Sequence, residues 1–370
     1  MTAAFQIKPE LADLYQRLDH KTDYWENVDF TTTCAADLEG KQVPNRQWLV
    51  EDRIPHENVT LFSGDGGLGK TILALMLGTS LSSCTPWLGL EAMQGPFLYI
   101  GAEDDEDEIH QRVNQIRFEL GFDWGKLCDF HFRSLVGEDA IFSVYDKGMM
   151  KATALMQKVE KRIEDLGAIA CAIDTSADVF GGDEISRTQV RQFISLLRGV
   201  CRRRKCSIIL LSHPSVAGMT SGSGISGSTG WHNSVRARVY LERVANYDDA
   251  RVLKFMKSNY GPKGKPISLR YQRGLFVVDH AAQAKRTPAE ADAMFLRMLD
   301  SYTDQNRHVS ANKSVSYAPK VFADDKACEG FTSADLKEAM DRLLERKEVA
   351  NETFGPPSKL RTRLVRVVSN

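Results

Sequence analysis

Residues 62 to 77 read FSGDGGLGKTILALML, and this stretch limits the possible folds more than any other part of the chain. Gly64, Gly66, Gly67 and Gly69 stand just ahead of a single cation, Lys70, between an apolar run and a helix-like one. Gly64, four residues, then Gly69-Lys70-Thr71 is the spacing of a loop whose backbone N–H groups converge on phosphate oxygens. VTLFS (Val59 to Ser63) reads as a short buried strand, and TILALMLGTSL (Thr71 to Leu81) as the helix that follows. The positive end of that helix dipole then faces the phosphates. On this reading Gly64, Asp65, Gly66, Gly67, Leu68, Gly69, Lys70, Thr71 and Ile72 surround ATP. Lys70 reaches the β- and γ-phosphates, and the Thr71 hydroxyl ligates Mg²⁺. The competing reading is a glycine-rich turn without a ligand.

A chain of 370 residues, 26% charged and 42% hydrophobic, has the composition of a soluble globular protein with room for one large core and a smaller domain. Its formal net charge of -1 sets up no global basic field, so any contact with nucleic acid must come from local patches. Apolar stretches are strand-sized, none nears the roughly 20 residues of a membrane span, and MTAAFQIKPELADLY lacks a signal peptide's apolar core. A cytoplasmic protein without a membrane partner is expected. The seven cysteines are odd in number and form no C-x-x-C pair, and the eight histidines form no ligand-like cluster. Neither a disulfide framework nor a zinc site is indicated, and the one metal expected is that accompanying a nucleotide. Cys171, inside an apolar run, reads as a buried structural thiol.

Residues 1–47 contain a helical stretch, PELADLYQRLDH, and form either an arm packing on a neighbouring subunit or a frayed end. From 48 to 279, the runs VTLFS, GPFLYIGAE, CDFHFRSL, IACAID, CSIILLSH, RVYLERV, RVLKFMKS, ISLRYQ and LFVVD alternate with amphipathic helices. This alternation predicts an α/β domain with a largely parallel sheet, and the closely spaced runs after 236 predict hairpins at one end. Residues 280–292 read as a linker into a piece spanning 293–370. There, AEADAMFLRMLDSY and FTSADLKEAMDRLLERKEV read as helices, with Thr332 or Ser333 capping the second. VANETF, a turn at GPPS and KLRTRLVRVV complete the helix, strand, turn, strand order of a winged helix. Lys359 to Asn370 carries one Lys and three Arg without an acid, which suits a phosphate backbone. A small helical lid with a solvated basic edge is the alternative.

Hydrolysis of a nucleotide requires a carboxylate that holds Mg²⁺ at the end of a strand beside the phosphate loop. GAIACAIDTSADV supplies one in Asp174. Thr175 follows it, so the group that polarises water must come from elsewhere, and Glu103 at the end of GPFLYIGAE is the candidate base. Residues 105 to 108 read as the acidic first turn of the helix EIHQRVNQIRFEL. CSIILLSH ends in Ser212-His213, where a polar group either senses the γ-phosphate or satisfies the loop backbone. The following Val216 to Gly230 is too long and too rich in Gly and Ser for an ordinary connection. Beyond it stand Arg236 and Arg238, then Lys254, Lys257, Lys263, Lys265, Arg270 and Arg273. An arginine at a subunit edge can enter a neighbour's phosphate site. Apart from Arg236 and Lys257, these charges read as solvated faces.

Taken in order, Gly64-x4-Gly69-Lys70-Thr71, Glu103, Asp174 and Ser212-His213 resemble the RecA-like ATPases. The stretch SGSGISGSTGWHNSVRARVYL followed by KSNYGPKG most closely resembles the branch of plasmid RepA-type hexameric replicative helicases and their phage and mobile-element relatives. The resemblance spans roughly residues 45 to 280. It implies an α/β RecA-like core with Glu103 as catalytic base, Asp174 as magnesium aspartate and His213 as coupling residue. It further implies Arg236 as an arginine finger acting in trans, and Lys257 as a second cation facing the neighbour's nucleotide. In this family nucleotides sit between the subunits of a ring whose channel is lined by two loops. These correspond here to Asp178 to Gln189, with Arg187, and Val216 to Gly230, with Ser221 and Ser223. The second loop lacks Lys and Arg, so backbone N–H groups, hydroxyls and Arg187 would carry phosphate contact. SANKSVSYAPKVFA and GFTSADLKEAMDRLLERKEV resemble the winged-helix-like end of some mobile-element members. The expectation is a homo-oligomeric, hexameric ring using ATP and Mg²⁺ to move on single-stranded DNA as a replicative helicase. Candidate additional contacts are a primase or initiator, and duplex DNA through the C-terminal domain. A recombinase or mediator filament and an ATP-switched DNA-binding regulator are the alternatives.

Overall fold

The computed structural model describes residues 30–213, 229–244, 247–261, 264–280, 288–328, 331–356 and 360–367. The N-terminal PELADLYQRLDH, Ser221, Ser223 and the rest of the predicted loop up to 228, Lys263, Lys359 and residues 281–287 of the predicted linker lie outside them. A short hairpin, β1 (Trp48–Val50) and β2 (Ile54–Pro55), precedes the main sheet. There follow β3 (Val59–Gly64), α1 (Lys70–Ser83), β4 (Phe97–Gly101), α2 (Glu106–Glu119) and β5 (Phe130–Ser134). A side hairpin of β6 (Ser143–Asp146) and β7 (Met149–Ala152) leads into α3 (Ala154–Leu166) and β8 (Ala170–Asp174). Next come α4 (Ser176–Val179), β9 (Phe180–Gly181), α5 (Arg187–Arg204), β10 (Ser207–Ser212) and α6 (Thr229–Ser234). The core closes with β11 (Ala237–Arg243), β12 (Ala250–Ser258), β13 (Ile267–Gln272) and β14 (Leu275–Val278).

All nine predicted apolar runs are strands of one sheet, ordered β14-β13-β12-β11-β3-β10-β8-β4-β5. From β11 to β5 the neighbours run parallel, while β12, β13 and β14 are added as antiparallel hairpins. The central strands β3, β8 and β10 are buried along their whole length, as strands covered on both faces must be. Their side chains alternate between two cores. Ala170 and Ala172 join α1 and α2 on one face, and Cys171 and Ile173 join α3 and α5 on the other.

The segment Asp178 to Gln189 is not one loop, which corrects the sequence-based expectation. Thr175 and Asp178 form a capping box around α4, Phe180 enters β9 and packs on Phe193, and Ser186 caps α5. Arg187 is therefore the first residue of a helix.

The C-terminal part contains α7 (Pro288–Asp304), α8 (Ala318–Ala323), α9 (Ser333–Glu345) and an antiparallel hairpin of β15 (Val349–Phe354) and β16 (Arg361–Arg366). These elements bury a core of their own around Phe295, Phe322 and Leu336. Helix α7 begins within the stretch read as linker, and its buried Asp292 is held by Arg342 at 2.7 Å and Arg346 at 2.6 Å. Thr332 caps α9 through a box with Asp335. In β16, Arg363 pairs with Glu352 and Arg366 with Asp300, so much of the basic run is already neutralised. Among the described residues no helix is long and apolar enough to cross a membrane.

Candidate active site

The chain leaves β3 at Gly64 and enters α1 through Gly69, the N-cap residue, at φ 97°. A Cβ at Gly69 would meet the Phe276 ring at 2.6 Å, so both backbone conformation and space require glycine there. No side chain caps α1, which leaves its first N–H donors for an anion. Leu68 is buried in the core and anchors the loop, whereas Ile72 lines the cavity in front of it. Asp65 stands 3.5 Å from the Tyr240 hydroxyl, which donates to it.

Lys70 is only 5% exposed. Its Nζ donates to the carbonyls of Gly64 at 2.8 Å and Asp65 at 3.0 Å, and to Nδ1 of His213 at 3.2 Å. Burial lowers its pKa, and the charges of Asp174, Glu103 and Asp65 work against that fall. An ammonium is a donor only, so His213 accepts at Nδ1 and carries its proton on Nε2. That nitrogen lies 3.5 Å from Glu103 Oε1. Ser212 is the register partner of Ser63, which is how β10 delivers His213 to the phosphate loop.

Asp174 closes β8 beside Gly101 of β4 and is 2% exposed. Its Oδ2 accepts from the Thr71 hydroxyl at 2.6 Å and from the Tyr99 phenol at 2.9 Å. Burial raises the carboxyl's pKa, and the two hydrogen bonds oppose the rise. Burial, then the nearby Asp174 charge, pushes the Tyr99 phenol far above its ordinary range and keeps it a donor. Asp105 caps α2 by accepting from Glu108 N–H at 2.8 Å, so residues 105 to 108 do form the acidic first turn.

Lys70, Thr71, Glu103, Asp174 and His213 thus line one cavity of about 240 Å³. Hydroxyl and carboxylate oxygens side by side are the donor set of a hard cation such as Mg²⁺, and an uncapped helix with a lysine suits phosphates. Two residues at this site escaped the sequence reading. Arg112 lines the cavity, bonded to Asp104 and Glu108 at 2.6 Å each, and its place one turn after Glu108 was the available signal. Tyr99 was signalled only by a hydroxyl in an otherwise apolar strand.

Arg236 and Lys257 are not gathered here. Ala237 pairs with Thr60, and Leu241 with Gly64, so Arg236 enters β11 at the end of the sheet remote from the phosphate loop. Five residues of strand, from Arg236 to Leu241, put it about 16 Å from that loop along the sheet. Lys257 donates to the carbonyls of His232 at 2.9 Å and Asn233 at 3.3 Å. Its pKa is lowered by burial and then by the neighbouring charge of Arg236, which marks the two as a cationic pair. Arg238 is no solvated edge, because β11 is flanked by β3 and β12. It is 2% exposed, with Nε 3.3 Å from Ser63 Oγ. Lys254 pairs with Glu242, Arg270 with Asp249 and Asp279, and Arg273 with Glu119, as surface charges do.

Arg187 and Arg191 of α5 face Asn233 and Ser234 of α6 across a second cavity of about 440 Å³. Trp231, packed edge-on against Phe180 and Phe193, fixes α6 on this wall.

A family model described as an AAA domain matches residues 26–219, more than half of the chain. No curated protein matches it.

Proposed function

Because the chain belongs to the AAA domain family, and so is a nucleotide-hydrolysing P-loop ATPase, we propose that it works as a ring-forming motor on single-stranded DNA, a replicative helicase of a phage, plasmid or integrated element. The observation that carries this reading is the chain of contacts from Lys70 through His213 to Glu103. It ties the phosphate-binding cation to the candidate base through the residue that opens the 214–228 segment. A γ-phosphate drawing Lys70 away removes the donor to His213 Nδ1, and the histidine is then free to shift.

Lys70 and the uncapped start of α1 bind the phosphates, Thr71 and Asp174 hold Mg²⁺, and Glu103 takes the proton of the attacking water. Mg²⁺, when bound, neutralises charge on the phosphate oxygens. Arg236 lies too far along the sheet to serve its own phosphate loop, which supports action on a neighbour's nucleotide, with Lys257 beside it. Arg187 and Arg191, beside α6, are the side chains we assign to DNA phosphates. We read α7, α8, α9 and the β15–β16 hairpin as a winged helix, a site for duplex DNA or for a partner such as a primase or initiator.

Mixing variants tests the shared site. Arg236→Ala should lower ATP turnover by about 10³-fold while leaving the monomer folded. Mixed one to one with Glu103→Gln chains, it should regain about a quarter of wild-type turnover, because random assembly joins an intact Glu103 to an intact Arg236 at that share of interfaces. Unchanged inactivity in every mixture contradicts catalysis in trans.

A further inference from the structure

We propose that Tyr99 is the positioning residue for the metal-binding carboxylate, holding Asp174 in place from the rigid sheet; this rests on the reading that Thr71 and Asp174 hold Mg²⁺. Asp174 is almost fully buried, and a buried carboxylate needs donors to keep a fixed orientation. Among the described residues it has two, both on Oδ2, and they differ in kind. Thr71 belongs to the first turn of α1, next to the loop that must respond to nucleotide. Tyr99 belongs to β4, directly paired with β8, where Tyr99 faces Ala172 and Gly101 faces Asp174 in register. Its side chain is 0% exposed and cannot swing out without opening the core.

The neighbouring sequence fits this task. A Cβ at Gly101 would stand 2.7 Å from Tyr99 Cε1 and 2.8 Å from its hydroxyl oxygen. The phenol therefore crosses the face of Gly101 on its way to Asp174, and only a residue without a side chain gives it passage. Thr71 keeps its oxygen lone pairs while its hydroxyl donates to Asp174, so it can serve a cation without releasing the carboxylate. Tyr99 is the remaining anchor. Groups of this type, one bond removed from a metal, set affinity by about 10–100-fold.

The test uses the full chain loaded with a non-hydrolysable ATP analogue and titrated with Mn²⁺, followed by electron paramagnetic resonance. Tyr99→Phe keeps the ring and removes one oxygen; Mn²⁺ should bind about tenfold more weakly, with metal-free nucleotide affinity unchanged. Gly101→Ala keeps both partners but displaces the ring, and should weaken Mn²⁺ in the same direction. Should that variant fail to fold, Tyr99→Phe alone decides. Wild-type Mn²⁺ affinity in Tyr99→Phe, with loss in Asp174→Asn, would overturn the role of Tyr99 and leave the metal site standing. Wild-type affinity in Asp174→Asn would instead remove the metal reading itself, and the role of Tyr99 with it.

Discussion

Lys70→Ala should abolish measurable ATP turnover, a loss of at least about 10³-fold, and should weaken nucleotide binding, while the nucleotide-free chain melts close to wild type. Lys70 is a nearly inaccessible cation whose fixed partners are two backbone carbonyls and a histidine nitrogen. Such a charge is desolvated in advance and gains most when an anion arrives. Removing it takes that gain away, while in the empty fold buried Asp174 keeps its hydrogen bonds from Thr71 and Tyr99. Of its former acceptors, His213 lines the cavity that water can enter. Fluorescent-nucleotide titration, steady-state hydrolysis and thermal melting together check this. Normal hydrolysis in Lys70→Ala would overturn the phosphate-loop assignment.

Glu103→Gln should bind ATP as the wild type does and hydrolyse it about 10²–10⁴-fold more slowly. The amide matches the carboxylate in shape and still reaches His213, but it cannot accept a proton from water. Nearby acids are poor substitutes, because Asp104 is committed to Arg112 and Asp105 caps α2. Single-turnover hydrolysis beside equilibrium binding separates the two effects. Hydrolysis at the wild-type rate would mean that another carboxylate is the base.

These predictions depend on residues of unequal legibility. β3, β4, β8 and β10 could be read because strands covered on both faces are short continuous apolar runs, whereas β12 and β13 could be read from alternation. β6, β7 and β9 could not, since they are two to four residues long and are held by outside contacts such as Met150 N–H to Gln192 Oε1 at 3.0 Å. Lys70, Thr71 and Asp174 follow from spacing and strand ends. The bond from Tyr99 to Asp174 joins residues 75 positions apart and exists only once β4 and β8 are in register. Thr175, Asp178 and Ser186 look like loop residues, and it is by capping helices that they break up the predicted loop. Alternation placed Arg236 and Arg238 together, but only the register shows one at the remote end of the sheet and the other buried beneath the phosphate loop.

In the function proposed above, nucleotide hydrolysis is coupled to a single strand of DNA. Steady-state ATP hydrolysis by the full chain, with and without an unstructured single-stranded oligonucleotide, tests it most directly. Stimulation of about tenfold is expected, a coupling of ordinary size between two sites. Turnover of the same rate with and without the strand, across a saturating range of oligonucleotide, would contradict the motor and leave an ATPase whose partner is something else.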